Sequence, residues 1–232
     1  MNLDRRQWLR ASAAAAGTLL AGCSRVARYF TEPSISTESS LDSELSPAVV
    51  RALNRTTFGP RIEDVERVAR MGWQEYVEEQ LHPDPNQDDP AALWRVRGVD
   101  LMHLDAGDLF NFREREVLGQ LEQATILRAV YSRWQLREMM ADFWSNHFNI
   151  YARKWPCVHL KVADDRDAIR PHALGKFRDL LSASVHSPAM LTYLDNQANR
   201  RGTANENYAR ELMELHTLGV QGGYTQSDVQ EV

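Results

Sequence analysis

The sequence predicts an all-α protein, an irregular multi-helix domain with a long central helix. Apolar residues recur at spacings of three and four along most of the chain after residue 46, which is typical of helices that pack on one face. No segment alternates polar and apolar residues with a period of two, and no repeat of fixed length is present. The hydrophobic content of 43% and the charged content of 25% are ordinary for a globular chain of 232 residues.

The first 45 residues predict export and attachment to a membrane. Residues 1–22 have a basic start, an Ala/Leu run of about a dozen residues and a small-residue exit, which is typical of an export signal. The Arg5-Arg6 pair resembles a twin-arginine signal. Leu20-Ala21-Gly22-Cys23 resembles a lipobox, so Cys23 is the predicted lipidation site, with a plain secretory signal and an incidental cysteine as the alternative. Residues 23–45, rich in Ser, Thr and Glu, are predicted to form a lipid-anchored flexible tether.

These features predict an exported protein of the periplasm or cell surface, held to the membrane by its N-terminal lipid. The apolar run is shorter than the roughly 20 residues of a membrane-spanning helix. Removing residues 1–22 removes three Arg and one Asp, so the net charge changes from −5 to −7. This acidic balance argues against nucleic acid or anionic lipid surfaces as partners. With Cys23 lipidated, Cys157 has no partner for an intrachain disulfide.

Residues 46–232 are predicted to form the helical domain. Ser46 and Pro47 mark the start of a first helix, and two further short helices end at Gly72 and before Pro83. The stretch 84–108 contains several Pro, Gly and Asp residues and predicts little regular structure.

The central helix is predicted from about residue 113 to residue 156, with at most one break. Further helices are predicted at about 164–170, 173–186, 188–195 and 206–218. The predicted inward stripe of the central helix comprises Leu118, Leu121, Ile126, Val130, Trp134, Met139, Phe143 and His147.

The last of these helices is unusually polar. At about 100° per residue, Tyr208, Leu212 and Leu215 share one stripe, which is predicted to be buried. Glu211 lies at one edge of that stripe and His216 borders the opposite edge. Because burying an unpaired carboxylate is costly, Glu211 is interpreted as either a paired or a functional group.

Other polar residues join the candidate site. His147, set among aromatic residues, is either a core imidazole bonded to the backbone, a metal ligand or a general base. Asp195 ends a short helix, where a turn role competes with a role in binding. The predicted catalytic residues are Glu211, His216, His147, His172 and Arg210, and the predicted substrate-binding residues are Asn205, Asn207, Tyr208 and Asp195.

Motifs of several standard chemistries are missing from the sequence. There is no G-x-S-x-G elbow, no H-E-x-x-H pair, no P-loop and no G-x-G-x-x-G turn. Cys157 has no partner at metal-binding spacing. The cofactor is therefore unknown, although a carboxylate with two imidazoles would suit a divalent metal.

Five ordered segments resemble the bacterial domain of unknown function 1800 family. They are LNRTTFGP (53–60), FWSNHFNI (143–150), RPHALGKFRDLL (170–181), SPAMLTYLDN (187–196) and NENYARELMELHTLGV (205–220), the last followed by QGGYTQSDV (221–229). The resemblance implies an exported, largely helical bacterial protein without an agreed activity, so it assigns no catalytic residue. Members of the family continue well beyond the last segment, so we expect this chain to be incomplete at its C-terminus.

Two functions remain open at this stage. The first is an envelope enzyme acting on a polar polymeric substrate such as polysaccharide. It would act by hydrolysis at a metal site, or Asn205, Tyr208, Arg210 and a His would neutralise a uronate and abstract a proton from it. The alternative is a non-catalytic envelope binding or assembly protein, with a protein partner, whose polar residues form structural networks. A remnant without function is a third interpretation.

Overall fold

The structure is a computed structural model of the chain, and it describes residues 46–200 and 205–232. The predicted export signal, the lipidation site Cys23 and the tether lie outside these residues. Within them the regular elements are helices, so the predicted all-α class is confirmed. No helix in the described part of the chain is both long enough and apolar enough to cross a bilayer.

Three short helices open the described chain: α1 (Pro47–Thr56), α2 (Ile62–Met71) and α3 (Trp73–Leu81). The hydroxyl of Ser46 accepts a hydrogen bond from the N–H of Val49 at 3.3 Å, so the predicted cap of α1 is confirmed. Gly72 joins α2 to α3 with φ 86° and ψ 160°, a conformation essentially restricted to glycine. Leu53, Val68 and Tyr76 form a small core between the three helices.

The stretch 84–108 is more regular than predicted. Its elements are helices α4 (Pro90–Arg97) and α5 (Ala106–Leu109) and the 3-10 turns Pro85–Gln87 and Asp100–His103. The carboxylate of Asp89 accepts a hydrogen bond from the N–H of Ala91 at 2.7 Å, and Pro90 occupies the first helical position. Asp-Pro therefore starts a helix here instead of breaking one, and the prediction of little regular structure was wrong.

The central helical region is divided into two helices, α6 (Glu114–Tyr131) and α7 (Gln135–His147). One break separates them, as the pattern allowed, and α6 with 18 residues is the longest helix described. The carboxylate of Asp88 stabilises the turn between α6 and α7, because it accepts hydrogen bonds from the Ser132 hydroxyl and the Arg133 N–H, each at 2.7 Å.

The buried face of α7 differs from the predicted inward stripe. Its buried positions are Gln135, Glu138 and Ala141, and two of these three side chains are polar. A pattern of apolar residues cannot reveal a buried face that is mostly polar. The predicted stripe was therefore placed on the wrong side of α7. The predicted inward residues that are exposed are Ile126, Val130 and Phe143.

The C-terminal part contains two helices with π-helical segments. Helix α8 runs through Cys157–Ala163, the π-helical Asp164–Ile169 and Arg170–His172. Helices α9 (Phe177–Val185) and α10 (Pro188–Tyr193) follow, then the 3-10 turn Asn196–Ala198. Helix α11 comprises Asn207–Glu211 and the π-helical Leu212–Thr217, and α12 is Gln226–Glu231. π-Helical turns are rare and occur frequently at functional sites.

The main core lies where α7, α8, α9 and α10 meet. Phe148, Ile169 and Leu180 are buried there, and the free thiol of Cys157 is buried among them. Trp144 fixes this packing, since its indole N–H donates to the carbonyl oxygen of Ala173 at 3.0 Å. This core supports one wall of the cleft described below.

Candidate functional site

A polar cleft of about 680 Å³ opens where the C-terminal ends of α7 and α10 approach α11. The residues that line it come from four separate stretches of the chain, so the fold assembles the cleft from distant segments. Five of the predicted site residues line it: His147, Asp195, Asn207, Glu211 and His216.

The two imidazoles of the cleft are neighbours. The ring centroids of His147 and His216 lie 6.2 Å apart. Nε2 of His147 lies 3.0 Å from the carbonyl oxygen of His216. Because a carbonyl oxygen only accepts, Nε2 carries the hydrogen and the neutral ring keeps its lone pair on Nδ1. The bond also ties the end of α7 to α11.

His216 is buried in the wall of the cleft, with 6% of its surface exposed. Its ring packs 5.3 Å from that of Phe148, measured between centroids. Burial lowers the pKa of His216, and the charge of His147 lowers that pKa further. Within the described residues neither ring nitrogen of His216 has a hydrogen-bond partner, so the imidazole is unprotonated near neutral pH and available for other contacts.

The predicted buried stripe of α11 was wrong. The buried residues of this helix are Ala209, Met213 and His216, whereas Leu215 is 60% exposed. In the π-helical segment the N–H of Leu218 bonds the carbonyl of Met213, five residues earlier, at 2.8 Å. At about 100° per residue Ala209, Met213 and His216 already share one face, roughly 100° around the helix from the predicted stripe, so the prediction chose the wrong face of α11.

Glu211 supplies a carboxylate that is half-buried in the cleft. In the part of the chain that the structure describes, no hydrogen bond or ion pair joins this carboxylate to another side chain. The sequence left two interpretations of Glu211, as a paired or as a functional group. Because the carboxylate has no described partner, the paired interpretation is not supported.

Lys154 and Asp195 form the opposite side of the cleft. The Lys154 ammonium donates to the carbonyl oxygen of Tyr193 at 2.6 Å and to the carboxylate of Asp195 at 3.0 Å. It also lies 5.5 Å from the centroid of the Tyr193 ring. Asp195 adopts the left-handed conformation with φ 61°, which turns its carboxylate back toward the lysine. The ion pair leaves this side of the cleft without net charge.

Four polar residues that line the cleft were not predicted from the sequence: Asn146, Asn149, Lys154 and Tyr193. The two asparagines flank the predicted His147 inside the segment FWSNHFNI, so their proximity to that histidine could have pointed to them. Lys154 and Tyr193 carried no signal, because only the tertiary packing brings their segments together.

Two of the predicted residues outside the cleft have structural contacts. The Tyr208 hydroxyl donates to the carbonyl oxygen of Val185 at 2.7 Å, and burial raises the pKa of Tyr208 to about 12. Nδ1 of His172 donates to the carbonyl oxygen of Ala168 at 2.8 Å. The structure therefore does not bring these side chains together with His147 or His216.

The other two predicted residues outside the cleft organise the ends of α11. Arg210 donates to Glu206 at 3.2 Å and to Gln226 at 2.8 Å, which links α11 to α12. The side-chain oxygen of Asn205 accepts a hydrogen bond from the N–H of Asn207 at 3.0 Å, which is a capping contact at the helix start.

The cleft contains metal-ligand side-chain types without the convergence that a metal site requires. Within residues 46–200 and 205–232, no three His, Cys, Asp or Glu side chains form a group that could hold a metal ion. Nε2 of His147 is occupied by its bond to the His216 carbonyl. The described residues therefore do not fit the geometry of a tetrahedral or octahedral metal centre.

The sequence model of one protein family, described as "Protein of unknown function (DUF1800)", matches residues 51–232, which is more than half of the chain. The chain belongs to the DUF1800 family. The resemblance seen in the sequence is thus confirmed, and the match includes every residue of the cleft in this DUF1800 domain. Neither the curated proteins nor the solved structures contain a match to the chain. The chemistry of this DUF1800 protein is therefore argued from its own site.

Proposed function

We propose that this protein is an exported, lipid-anchored cell-envelope enzyme that acts on a polar polymeric substrate, a polysaccharide, in the cleft. The observation that carries the proposal is that the unpaired Glu211 carboxylate lines the same cleft as the neighbouring imidazoles of His147 and His216. A titratable group with a perturbed pKa, here His216, that shares a cleft with other titratable groups is the usual mark of an acid–base site. The signal-like residues 1–22 and Cys23 support the location.

His216 is the proton acceptor in this proposal. Because burial lowers its pKa, the ring is neutral at the pH of the envelope and can take a proton from a water molecule or a substrate hydroxyl. The Glu211 carboxylate would stabilise the positive charge that develops on the imidazole. Both groups are on α11, so one helix positions them.

The remaining lining suits hydroxyl-rich ligands. The side-chain amides of Asn146, Asn149 and Asn207 each offer donors and an acceptor, which matches the dual character of a sugar hydroxyl. Lys154 uses two of its three N–H donors on Tyr193 and Asp195, so one remains for a ligand. A cleft with few apolar side chains favours a carbohydrate over a lipid or an apolar peptide.

Turnover of defined polysaccharides by Glu211→Gln and His216→Asn variants tests the proposal. The full chain would be incubated with a panel of neutral and acidic polysaccharides, and new chain ends would be counted as reducing sugars or as unsaturated products. We expect each variant to lose about a hundredfold or more of the wild-type rate, as the loss of a general base does. Glu214→Gln is the matched control, since Glu214 is on the same helix but does not line the cleft. Wild-type rates in both cleft variants would contradict the proposal.

A non-catalytic envelope binding or assembly protein is the second candidate. The observation that favours it is that His147 and Lys154 both donate to backbone carbonyls, so that they tie helix ends together. In that case the Glu211 and His216 variants would lose thermal stability together, and no polysaccharide would be cleaved by the wild-type protein. Circular dichroism melting beside the turnover assay separates the two functions.

A further inference from the structure

The loop between α7 and α8 exposes two aromatic rings. Tyr151 is 57% exposed and Trp155 is 69% exposed. The N–H of Lys154 bonds the carbonyl of Tyr151 at 3.0 Å, which makes a turn with one ring at each end. The loop is therefore shaped by its backbone, while the faces of both rings remain open to solvent.

Trp155 differs from Trp134 and Trp144, whose indole groups make hydrogen bonds within the fold. The indole N–H of Trp134 donates to the carbonyl of Asp84 at 2.8 Å, and that of Trp144 donates to Ala173 at 3.0 Å. Among the described residues, Trp155 makes no such bond and neither it nor Tyr151 stacks on another ring. Large aromatic side chains that are exposed without a packing role commonly mark binding surfaces.

Tyr151 and Trp155 lie close in sequence to two residues that line the cleft, although neither ring is itself part of the lining. Asn149 and Lys154 line the cleft, and both belong to the same loop as Tyr151 and Trp155. A ligand that lies in the cleft and extends past Lys154 would pass over this loop. Aromatic faces next to side-chain amides form an amphipathic surface, which matches a sugar ring with its C–H face and its hydroxyl rim.

The charged residues that line the cleft do not favour the binding of an acidic polysaccharide. Among its described lining residues Lys154 is the one permanent cation, and Asp195 neutralises it at 3.0 Å. Glu211 adds a negative charge. A uronate would therefore meet a carboxylate without a compensating cation inside the cleft, although the exposed Arg153 belongs to the adjoining loop.

We propose that Tyr151 and Trp155 form an aromatic subsite at the mouth of the cleft that binds a neutral glycan chain by stacking. This inference rests on the proposed function, because it names the class of substrate for the same cleft. It adds a binding element that neither the motifs nor the helical pattern indicated.

Titration of the full chain with chitohexaose, cellohexaose, mannohexaose and hexagalacturonate, followed by tryptophan fluorescence and calorimetry, tests the subsite. We expect one of the neutral hexasaccharides to bind, and Trp155→Ala to weaken that binding by about tenfold through the loss of the stacking surface. Trp155→Phe should retain most of the affinity. Trp94→Ala is the matched control, because Trp94 is 54% exposed but belongs to α4 and not to the loop that contains Asn149 and Lys154.

The outcomes separate the subsite from the function. If a neutral hexasaccharide binds wild type and Trp155→Ala equally, the subsite is wrong and the proposed function stands. If hexagalacturonate binds best, the neutral substrate class is wrong. If no saccharide binds the wild type, both proposals fall. Sedimentation of the wild type but not of Trp155→Ala with phosphatidylcholine vesicles, without a change in glycan affinity, would assign the rings to a lipid surface and overturn the subsite.

Discussion

His216 shows how the burial of one residue can serve a chemical use. Burial of the imidazole disfavours its protonated form, because a charged ring loses hydration there. Groups with a perturbed pKa are frequent where a ligand or a reaction uses them. The same burial that lowers the pKa of His216 keeps it in the form that accepts protons.

The free energy of unfolding should depend on pH because His216 is buried in the folded state. In the unfolded chain His216 titrates near the ordinary value of about 6.5, and in the folded chain its pKa is lower. Between those two values the unfolded state binds a proton that the folded state does not, so the free energy of unfolding falls as the pH is lowered through about 6.5. The contribution of the neutral ring is fully present above that pH.

We therefore expect urea unfolding of the wild type to weaken between about pH 7.5 and pH 5.5, and His216→Gln to weaken less over the same range. His186→Gln is the control, because His186 is exposed and lies outside the cleft. An identical pH slope in the wild type and His216→Gln would show that the ring is not desolvated in the fold.

Part of the site could be predicted from residue types alone. Glu211 and His216 were predicted as site residues because they interrupt a leucine-rich helix, and both line the cleft. Lys154 could not be predicted, since its partner Asp195 is 41 residues away and the packing of two loops brings them together. Long-range pairs of this kind leave no period in a single sequence.

At the scale of elements, helix ends were predicted better than helix faces. The ends of α2 and α3 follow directly from Gly72 and from the residues before Pro83, because a glycine or a proline limits the backbone locally. The faces of α7 and α11 were misplaced for different reasons. Helix α7 buries polar side chains, and α11 buries the face with Ala209, Met213 and His216 instead of its leucine and tyrosine stripe.

Alanine substitution at two glycines should change stability in opposite directions. Gly72→Ala should lower the free energy of unfolding by about 1–3 kcal/mol, because φ 86° with ψ 160° strains any residue with a Cβ. Gly119→Ala should raise it by about 0.5–1 kcal/mol, since Gly119 lies within the exposed face of α6 and a Cβ there meets no atom within 4 Å.

Thermal melting of both glycine variants beside the wild type measures the difference. Each variant controls for the other, because the chemical change is the same and only the backbone conformation differs. Equal shifts in melting temperature for the two variants would contradict the conformational explanation.

At the scale of the whole molecule, a buried charge cluster joins α7 to α8. The Arg170 guanidinium donates to both carboxylate oxygens of Glu138, at 3.0 and 2.8 Å, and to Asp165 at 2.8 Å. Burial by itself would lower the pKa of Arg170, but the two carboxylates raise it above its ordinary value. Nearby, burial and the charge of Arg170 lower the pKa of Arg128 to about 10.

Removal of the central cation should be among the most damaging single changes to the fold. Arg170→Met would leave Glu138 and Asp165 buried without their main partner, and we expect a loss of about 3–5 kcal/mol in the free energy of unfolding. Arg178→Met, at an exposed position of α9, should stay within about 0.5 kcal/mol of the wild type. Chemical denaturation of both variants measures the contrast, and similar midpoints would mean that water reaches the cluster.

The hydrogen bond from His147 to the backbone of His216 makes the protonation pattern of a ring at the end of α7 depend on the packing of α11. Until that helix docks, the proton of the His147 ring is free to occupy either nitrogen, and the ring has no fixed acceptor. Docking commits the proton to Nε2 and buries His216 in the same event. The tautomer of His147 is therefore set by the tertiary structure, through a backbone oxygen 69 positions later in the chain.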